Sequence, residues 1–425
     1  MRNFIHTLAF MVAISLSLVA CVEVSEQRAF TRQYSVAEVN TQLSVEIPCR
    51  RPWILTGMNE WCHTTTTSGQ TATDITLMIE ANTSDQERVC ELMALSDDVK
   101  CTITITQSGA ETIVLPVIFH VFYNDKSDSL QYVDASRVAT ILDKVNAYYA
   151  GESGGENINV RFTLATQNPY GATLENPGVE YVKQDVVSMD CMEFMNDNTG
   201  KYATYLWDPN SYINIMLYNF DQDSTAESMV LGVSHLPYTQ VDTYLPGTNR
   251  VSYSYISLEN LKYPYSVSIN SLYFYHDASI EQWETKDISC TLAHELGHYL
   301  GLLHVFSEND DEETCADTDY CADTYSYNYN DYLGYVSYAT AHYRGEQLYN
   351  ALYQRNSCSG EIYFSDNLMD YNWVTAYKFT SDQRTRMRYV LNYSPLLPTA
   401  RNAVMVRSNA THDTTKLDLP ILIAR

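Results

Sequence analysis

Apolar residues recur at every second position through the first quarter of this chain, and at helical spacing only later. Residues 43–47 and 75–79 alternate, and Cys101-Thr102-Ile103-Thr104-Ile105-Thr106 alternates most cleanly. A period of two puts one row of side chains on a core and the other in water, which predicts short half-buried strands. Thr- and Ser-rich stretches at 64–73 and 82–85 separate them as turns. Strands at such intervals predict a small all-β sandwich over residues 39–110. Residues 21–38 show no clear period and read as a tether.

From residue 111 the pattern changes. Residues 113–123 (I-V-L-P-V-I-F-H-V-F-Y) are an almost unbroken apolar run, as expected of a strand buried on both faces. His120 within that run reads as a core histidine in need of hydrogen-bond partners, not as a ligand. Val138, Ile141, Leu142, Val145 and Tyr149 fall at helical spacing, with Ser136 placed to cap. Further strands are predicted at 158–164, 212–218 and 251–258. Ile288, Leu292, Leu296 and Leu300 predict a second helix, opened by Asp287. A third is predicted over 342–355, and Thr380-Ser381-Asp382-Gln383 is a capping box for a last one that must stop before Pro395. Residues 400–425 carry no readable role. Strands and helices intermix over 111–399, which predicts one α+β domain built on a mixed sheet.

Charge and targeting narrow the function. The chain has 425 residues, a formal net charge of −26 and 35 tyrosines. Nucleic acid is therefore not an expected partner, since phosphate binding needs a basic face. Arg2 precedes an apolar run at 8–20 that is too short to span a bilayer and reads as a leader over residues 1–20. The leader ends in Leu18-Val19-Ala20-Cys21, which resembles the lipobox of bacterial lipoproteins. That resemblance implies cleavage before Cys21, lipid on Cys21, and a protein held on the bacterial cell envelope, at the outer membrane or cell surface. An ordinary secretory leader followed by a chance cysteine is the alternative.

The chemistry lies in residues 291–305, which read T-L-A-H-E-L-G-H-Y-L-G-L-L-H-V. His294 and His298 are one helical turn apart, so both imidazoles can reach one Zn²⁺. Glu295 can stand beside the metal without ligating it and act as general base. Gly301 is placed for a left-handed exit turn that brings His304 back as a third ligand. Three protein ligands leave a fourth position open, the arrangement of a catalytic site.

The pattern H-E-x-x-H-x-x-G-x-x-H is the metzincin signature, and the chain is identified as similar to that group on it and on a Met-turn at Asn367-Leu368-Met369-Asp370-Tyr371. Within the metzincins it resembles the pappalysin family through residues 115–124 (L-P-V-I-F-H-V-F-Y-N), the zinc motif, the Met-turn and residues 379–387 (F-T-S-D-Q-R-T-R-M). The resemblance implies a zinc-dependent endopeptidase acting on protein or peptide substrates, with Met369 as an apolar floor and Tyr371 as an oxyanion donor. Two departures stand out: Val305 where pappalysins usually have threonine, and a long insertion after residues 319–324 where the family's proline is missing. The family also binds calcium in this region, which implies Ca²⁺ for the acidic stretch 308–324, with a solvated acidic loop as the alternative. A Cys315–Cys358 bridge is implied as well. The tyrosine-rich insertion 325–357 either walls the cleft or packs on itself.

Residues 39–110 resemble the BACON-type Ig-like domain through Pro52-Trp53-Ile54, residues 79–84 and residues 102–109. Such domains imply glycan or mucin binding, or a spacer role. Cys49, Cys62, Cys90 and Cys101 fall inside it, enough for two internal disulfides in any of three connectivities. With Cys21 lipidated an odd number of cysteines remains, so at least one thiol stays free or pairs elsewhere; a free one is either inert or occupies the metal's open position in a silent precursor. The expected architecture is a metzincin zinc-protease domain (mixed sheet, zinc helix, Met-turn) preceded by a small β-sandwich. The competing function is a glycan- or glycoprotein-binding surface lipoprotein on a degenerate protease fold.

Overall fold

The computed structural model of the chain describes residues 28–221, 230–277, 287–308, 315–371, 373–399, 402 and 414–424. The leader and Cys21 lie outside the described residues. Two compact units divide between Ala110 and Glu111.

The first unit is all β. Its strands are β1 (Arg28–Val36), β2 (Thr41–Ile47), β3 (Trp53–Thr56), β4 (Cys62–His63), β5 (Ser68–Gly69), β6 (Thr73–Ile79), β7 (Arg88–Ser96) and β8 (Val99–Gln107). They form a five-stranded sheet in the order β1-β8-β7-β3-β5 and a three-stranded sheet in the order β2-β6-β4. The alternation seen in the sequence is the in–out pattern of these strands: Val45, Ile47, Ile75, Leu77, Ile79, Ile103 and Ile105 are all buried in one core with Trp53. Residues 28–36, read from sequence as part of a tether, are instead a strand running parallel to β8, from Arg28 opposite Val99 to Val36 opposite Gln107. As an edge strand it sets only Tyr34 and Val36 against the core, too few apolar positions to register as a pattern. Cys49, Cys62, Cys90 and Cys101 are buried free thiols. The two internal bridges expected there are absent, although Cys62 stands in hydrogen-bond contact with Cys90.

In the second unit β9 (Ile113–Tyr123) is followed by helix α1 (Ala135–Tyr149), β10 (Val160–Leu164), β11 (Val179–Lys183), α2 (Cys191–Asn196) and β12 (Ile213–Tyr218). Then come β13 (Gly232–His235), β14 (Tyr238–Gln240), β15 (Asn249–Val251), β16 (Val267–Asn270) and helix α3 (Ile288–Tyr299). Helices α4 (Tyr329–His342) and α5 (Gly345–Tyr353), the hairpin β17 (Gln354–Asn356) and β18 (Ile362–Phe364), helix α6 (Ser381–Tyr393) and strand β19 (Ile423–Ala424) complete it. The main sheet runs β10-β9-β12-β16-β13-β19, with β11 also on β9. β9 to β12 and β16 pair in parallel, while β13 runs antiparallel to both β16 and β19. The apolar run of β9 is explained by this position, covered on both faces and paired on both edges.

Helix α1 buries Val138, Ile141, Leu142, Val145 and Tyr149, but its cap is Asp134, whose Oδ1 accepts from Ser136 N at 2.7 Å. The strand expected at 251–258 is short: only residues 249–251 pair, and Ile256 N–H turns away to the carbonyl of Pro395. The sheet position is taken by β16 instead. Residues 414–424, without a readable role in the sequence, are part of this unit. Leu417, Leu419, Ile421 and Ile423 lean on its core, and β19 extends the sheet opposite Ser234 and His235. Pro420 within that alternation hid it. His120 is a fully buried core histidine, its ring nitrogens 2.7 Å from Glu180 Oε2 and 2.9 Å from Asn214 Oδ1. No helix of the described residues is long and apolar enough to cross a membrane.

Candidate metal centre

Helix α3 opens where Asp287 Oδ1 accepts from Ser289 N at 2.8 Å, and Ile288, Leu292 and Leu296 bury one stripe with Leu300 at the C-cap. Its polar face carries His294, Glu295 and His298, all buried. The helix stops because Gly301 takes φ +98°, a conformation that L side chains avoid. A Cβ at Gly301 would also lie 2.6 Å from Val390 Cγ2. The turn sends the chain back so that His304 faces the other two imidazoles. His298 Nε2 is 3.0 Å from His294 Nε2 and 3.1 Å from His304 Nε2.

The opposite ring nitrogens are all engaged. His294 Nδ1 donates to Leu368 O at 2.6 Å, His298 Nδ1 donates to Leu302 O at 2.8 Å, and His304 Nδ1 pairs with the Glu308 carboxylate. These contacts turn the three Nε2 lone pairs toward one point. Zn–N bonds of about 2.0–2.1 Å in tetrahedral geometry need nitrogens about 3.3 Å apart, so the residues present fit that ion. Burial pushes the His294 pKa down to about 4; burial, with His294 and His304 nearby, pushes His298 well below the usual value. Neutral imidazoles are what a metal requires. Among the described residues these three are the one group of three or more His, Cys, Asp or Glu side chains close enough to share an ion. No described thiol joins them, and Cys290, on the same helix, sits instead 3.2 Å from Tyr148 Oη.

Glu295 lies beside this cluster, 3% exposed, and its Oε2 has no hydrogen-bond partner among the described residues. Burial raises its pKa well above the usual carboxylate range. Space for it depends on Gly232 of β13, where a Cβ would stand 2.5 Å from Glu295 Cγ. The Met-turn closes the site from below. Met369 is fully buried, its Sδ 2.7 Å from where a Cβ of Gly297 would be, and its carbonyl accepts from Val305 N at 3.2 Å. The Tyr371 ring covers the histidines, 4.3 Å from His304 and 5.5 Å from His294 between centroids.

Residues 196–392 match the Peptidase_M43 family model, described as pregnancy-associated plasma protein-A. Over these residues the chain is similar to the pappalysin family of metalloproteases. Among the solved structures similar to the chain are two of one bacterial enzyme. Mature mirolysin of Tannerella forsythia in complex with a cleaved peptide is 22% identical, over 65% of this chain and 91% of that chain, with a TM-score of 0.42. A promirolysin variant of the same organism is 21% identical, over 71% and 87%, with a TM-score of 0.43. No curated protein matches the chain.

The acidic stretch 308–324 is described only in part, residues 309–314 being outside the described set. Glu308 goes to His304. Asp319 is buried, accepts from Cys321 N at 2.9 Å and from the Thr324 hydroxyl at 2.7 Å, and burial raises its pKa to about 7. Asp323 Oδ2 accepts from Asp382 N at the start of α6. The described carboxylates fix the loop and the helix end, and among the described residues no three of them lie close enough to share an ion. The Cys315–Cys358 disulfide is formed, with Cα atoms 5.6 Å apart.

The tyrosine-rich insertion touches the site. Phe306 stacks on His304 at 4.7 Å, and Tyr329, the first residue of α4, stacks on Phe306 at 4.6 Å. Residues 342–355, expected as one helix, break at Tyr343 and Arg344 between α4 and α5. Sequence reasoning assigned no role to Phe306, Arg355 or Asp370, and placed Glu308 only within an acidic stretch, without a partner. Only Glu308 carried a signal, its i+4 spacing from His304.

Proposed function

We propose that this pappalysin-like domain is a zinc endopeptidase in which His294, His298 and His304 hold the metal and Glu295 is the general base. The observation that carries the reading is the convergence of three neutral imidazoles beside a buried carboxylate whose Oε2 has no partner among the described residues. Burying a carboxylate oxygen without a partner costs stability, so its presence calls for a functional reason. When bound, Zn²⁺ supplies a Lewis acid that polarises a peptide carbonyl and acidifies a water. Glu295 takes the proton of the attacking water and passes it to the leaving amine. Tyr371, held over His294 and His304, supplies a hydroxyl to the developing oxyanion. Met369 keeps the floor apolar and dry. Cleavage of casein that stops with a chelator and returns with Zn²⁺ is the expected result; cleavage insensitive to chelation would overturn the reading.

The same proposal places the enzyme on the bacterial cell envelope through a lipid at Cys21, supported by the Leu18-Val19-Ala20-Cys21 pattern. The all-β unit would then act as a spacer or as a glycan-binding module. Radiolabelled palmitate should enter the wild-type chain and not Cys21→Ser; equal labelling of both would remove the anchor.

A further inference from the structure

Arg355 is buried to 1% exposure, and none of the chemistry above uses it. A guanidinium removed from water needs an opposite charge and hydrogen-bond acceptors beside it. Its Nε is 3.3 Å from Asp370 Oδ2, an ion pair without hydrogen-bond geometry, and its Nη1 donates to Leu352 O at 3.0 Å. Its Nη2 donates to the carbonyls of Tyr371 and Trp373, each at 3.0 Å. The Tyr332 ring of α4 stacks 3.8 Å from the guanidinium carbon. Asp370 is enclosed in turn. Its carboxylate accepts from the Tyr327 hydroxyl at 2.5 Å, from Tyr371 N at 2.7 Å and from the Ser365 hydroxyl.

The chain just past Met369 is neither helix nor strand, so no regular ladder fixes Tyr371. The network does so from both sides: Asp370 holds its N–H and Arg355 its carbonyl. The planar fork of arginine is suited to this, since one rigid group spans two carbonyls and a carboxylate together. All of these arginine contacts originate in the insertion, because Arg355 lies on β17 and Tyr332 on α4.

We infer that Arg355 is a positioning residue: through it the tyrosine-rich insertion clamps the Met-turn and aims the Tyr371 ring at the metal centre. The inference rests on the role given above to Tyr371. A lobe packed only on itself would not send its one buried cation to the backbone of that residue.

The test uses the full chain with Arg355→Lys, Tyr371→Phe and the double variant, measuring zinc content, melting temperature, kcat and KM on one peptide. Lysine keeps the charge beside Asp370 but cannot serve both carbonyls. Arg355→Lys should stay folded and zinc-loaded and lose kcat by on the order of tenfold, with KM little changed. The double variant should be no slower than Tyr371→Phe alone, because both changes remove the same contribution. Multiplying losses, a wild-type kcat in Arg355→Lys, or early melting and zinc loss in that variant would each overturn the inference. Glu295→Gln keeps the two readings apart: an active Glu295→Gln protein sinks the proposed mechanism, whereas an inactive one beside multiplying losses sinks only the role of Arg355.

Discussion

Glu295→Gln should abolish turnover, keep its zinc, and melt at the same temperature as the wild type or higher. The residue is 3% exposed, its Oε2 has no partner among the described residues, and its side chain packs against Gly232. In the folded protein it is thus a cost, because a buried acid gives up much of its hydration. Glutamine keeps the volume, so no cavity opens, and it carries no charge to desolvate. It also has no basic oxygen to take a proton, and general-base catalysis contributes about 10²–10⁴-fold. Loss of activity alone would be ambiguous, since many core substitutions inactivate by unfolding. Loss of activity with undiminished stability is specific to a residue retained for chemistry. A Glu295→Gln protein that turns over normally, or that unfolds early, would show that the carboxylate serves the fold.

Gly301→Ala should lose zinc affinity and stability together. At φ +98° any side chain is strained, at a cost of about 1–3 kcal/mol. The new Cβ would also meet Val390 Cγ2 at 2.6 Å, and overpacking of that kind adds about 1–3 kcal/mol. Relief requires the turn to open, and the turn is what returns His304 to the other imidazoles. The carbonyl of Gly301 is held by Arg386 Nε at 2.5 Å, so the strain also reaches α6. Gly345→Ala is the control. Gly345 has φ +59° but nothing near its Cβ position, so it carries the backbone strain without the contact and is remote in sequence from the ligands. Isothermal titration of the apoproteins with Zn²⁺ should find Gly301→Ala weakened and Gly345→Ala close to wild type. Equal affinities for all three would remove the turn from the metal site.

Much of the site was legible before any coordinates. The spacing of His294, Glu295, His298, Gly301 and His304 needs only helix periodicity and one glycine turn, both local properties. The buried stripe of α3, its Asp287 cap, the capping box at Thr380 and the run of β9 were readable for the same reason. Each depends on residues within a turn or two of one another. Where the reading failed, the cause was non-local. The edge strand β1 and the tail strand β19 exist because β8 and β13 offer them open edges, and their own apolar positions are too few to announce them.

The sequence by itself therefore determined which side chains can bind a metal and which can move a proton, because helical spacing and a left-handed glycine are written in consecutive residues. Only the tertiary structure decided what holds them still. The Leu368 carbonyl on His294, the Met369 sulfur under Gly297 and the Arg355 fork on Tyr371 join segments far apart in the chain. Contacts of that kind depend on how the whole unit packs, and no local pattern records them.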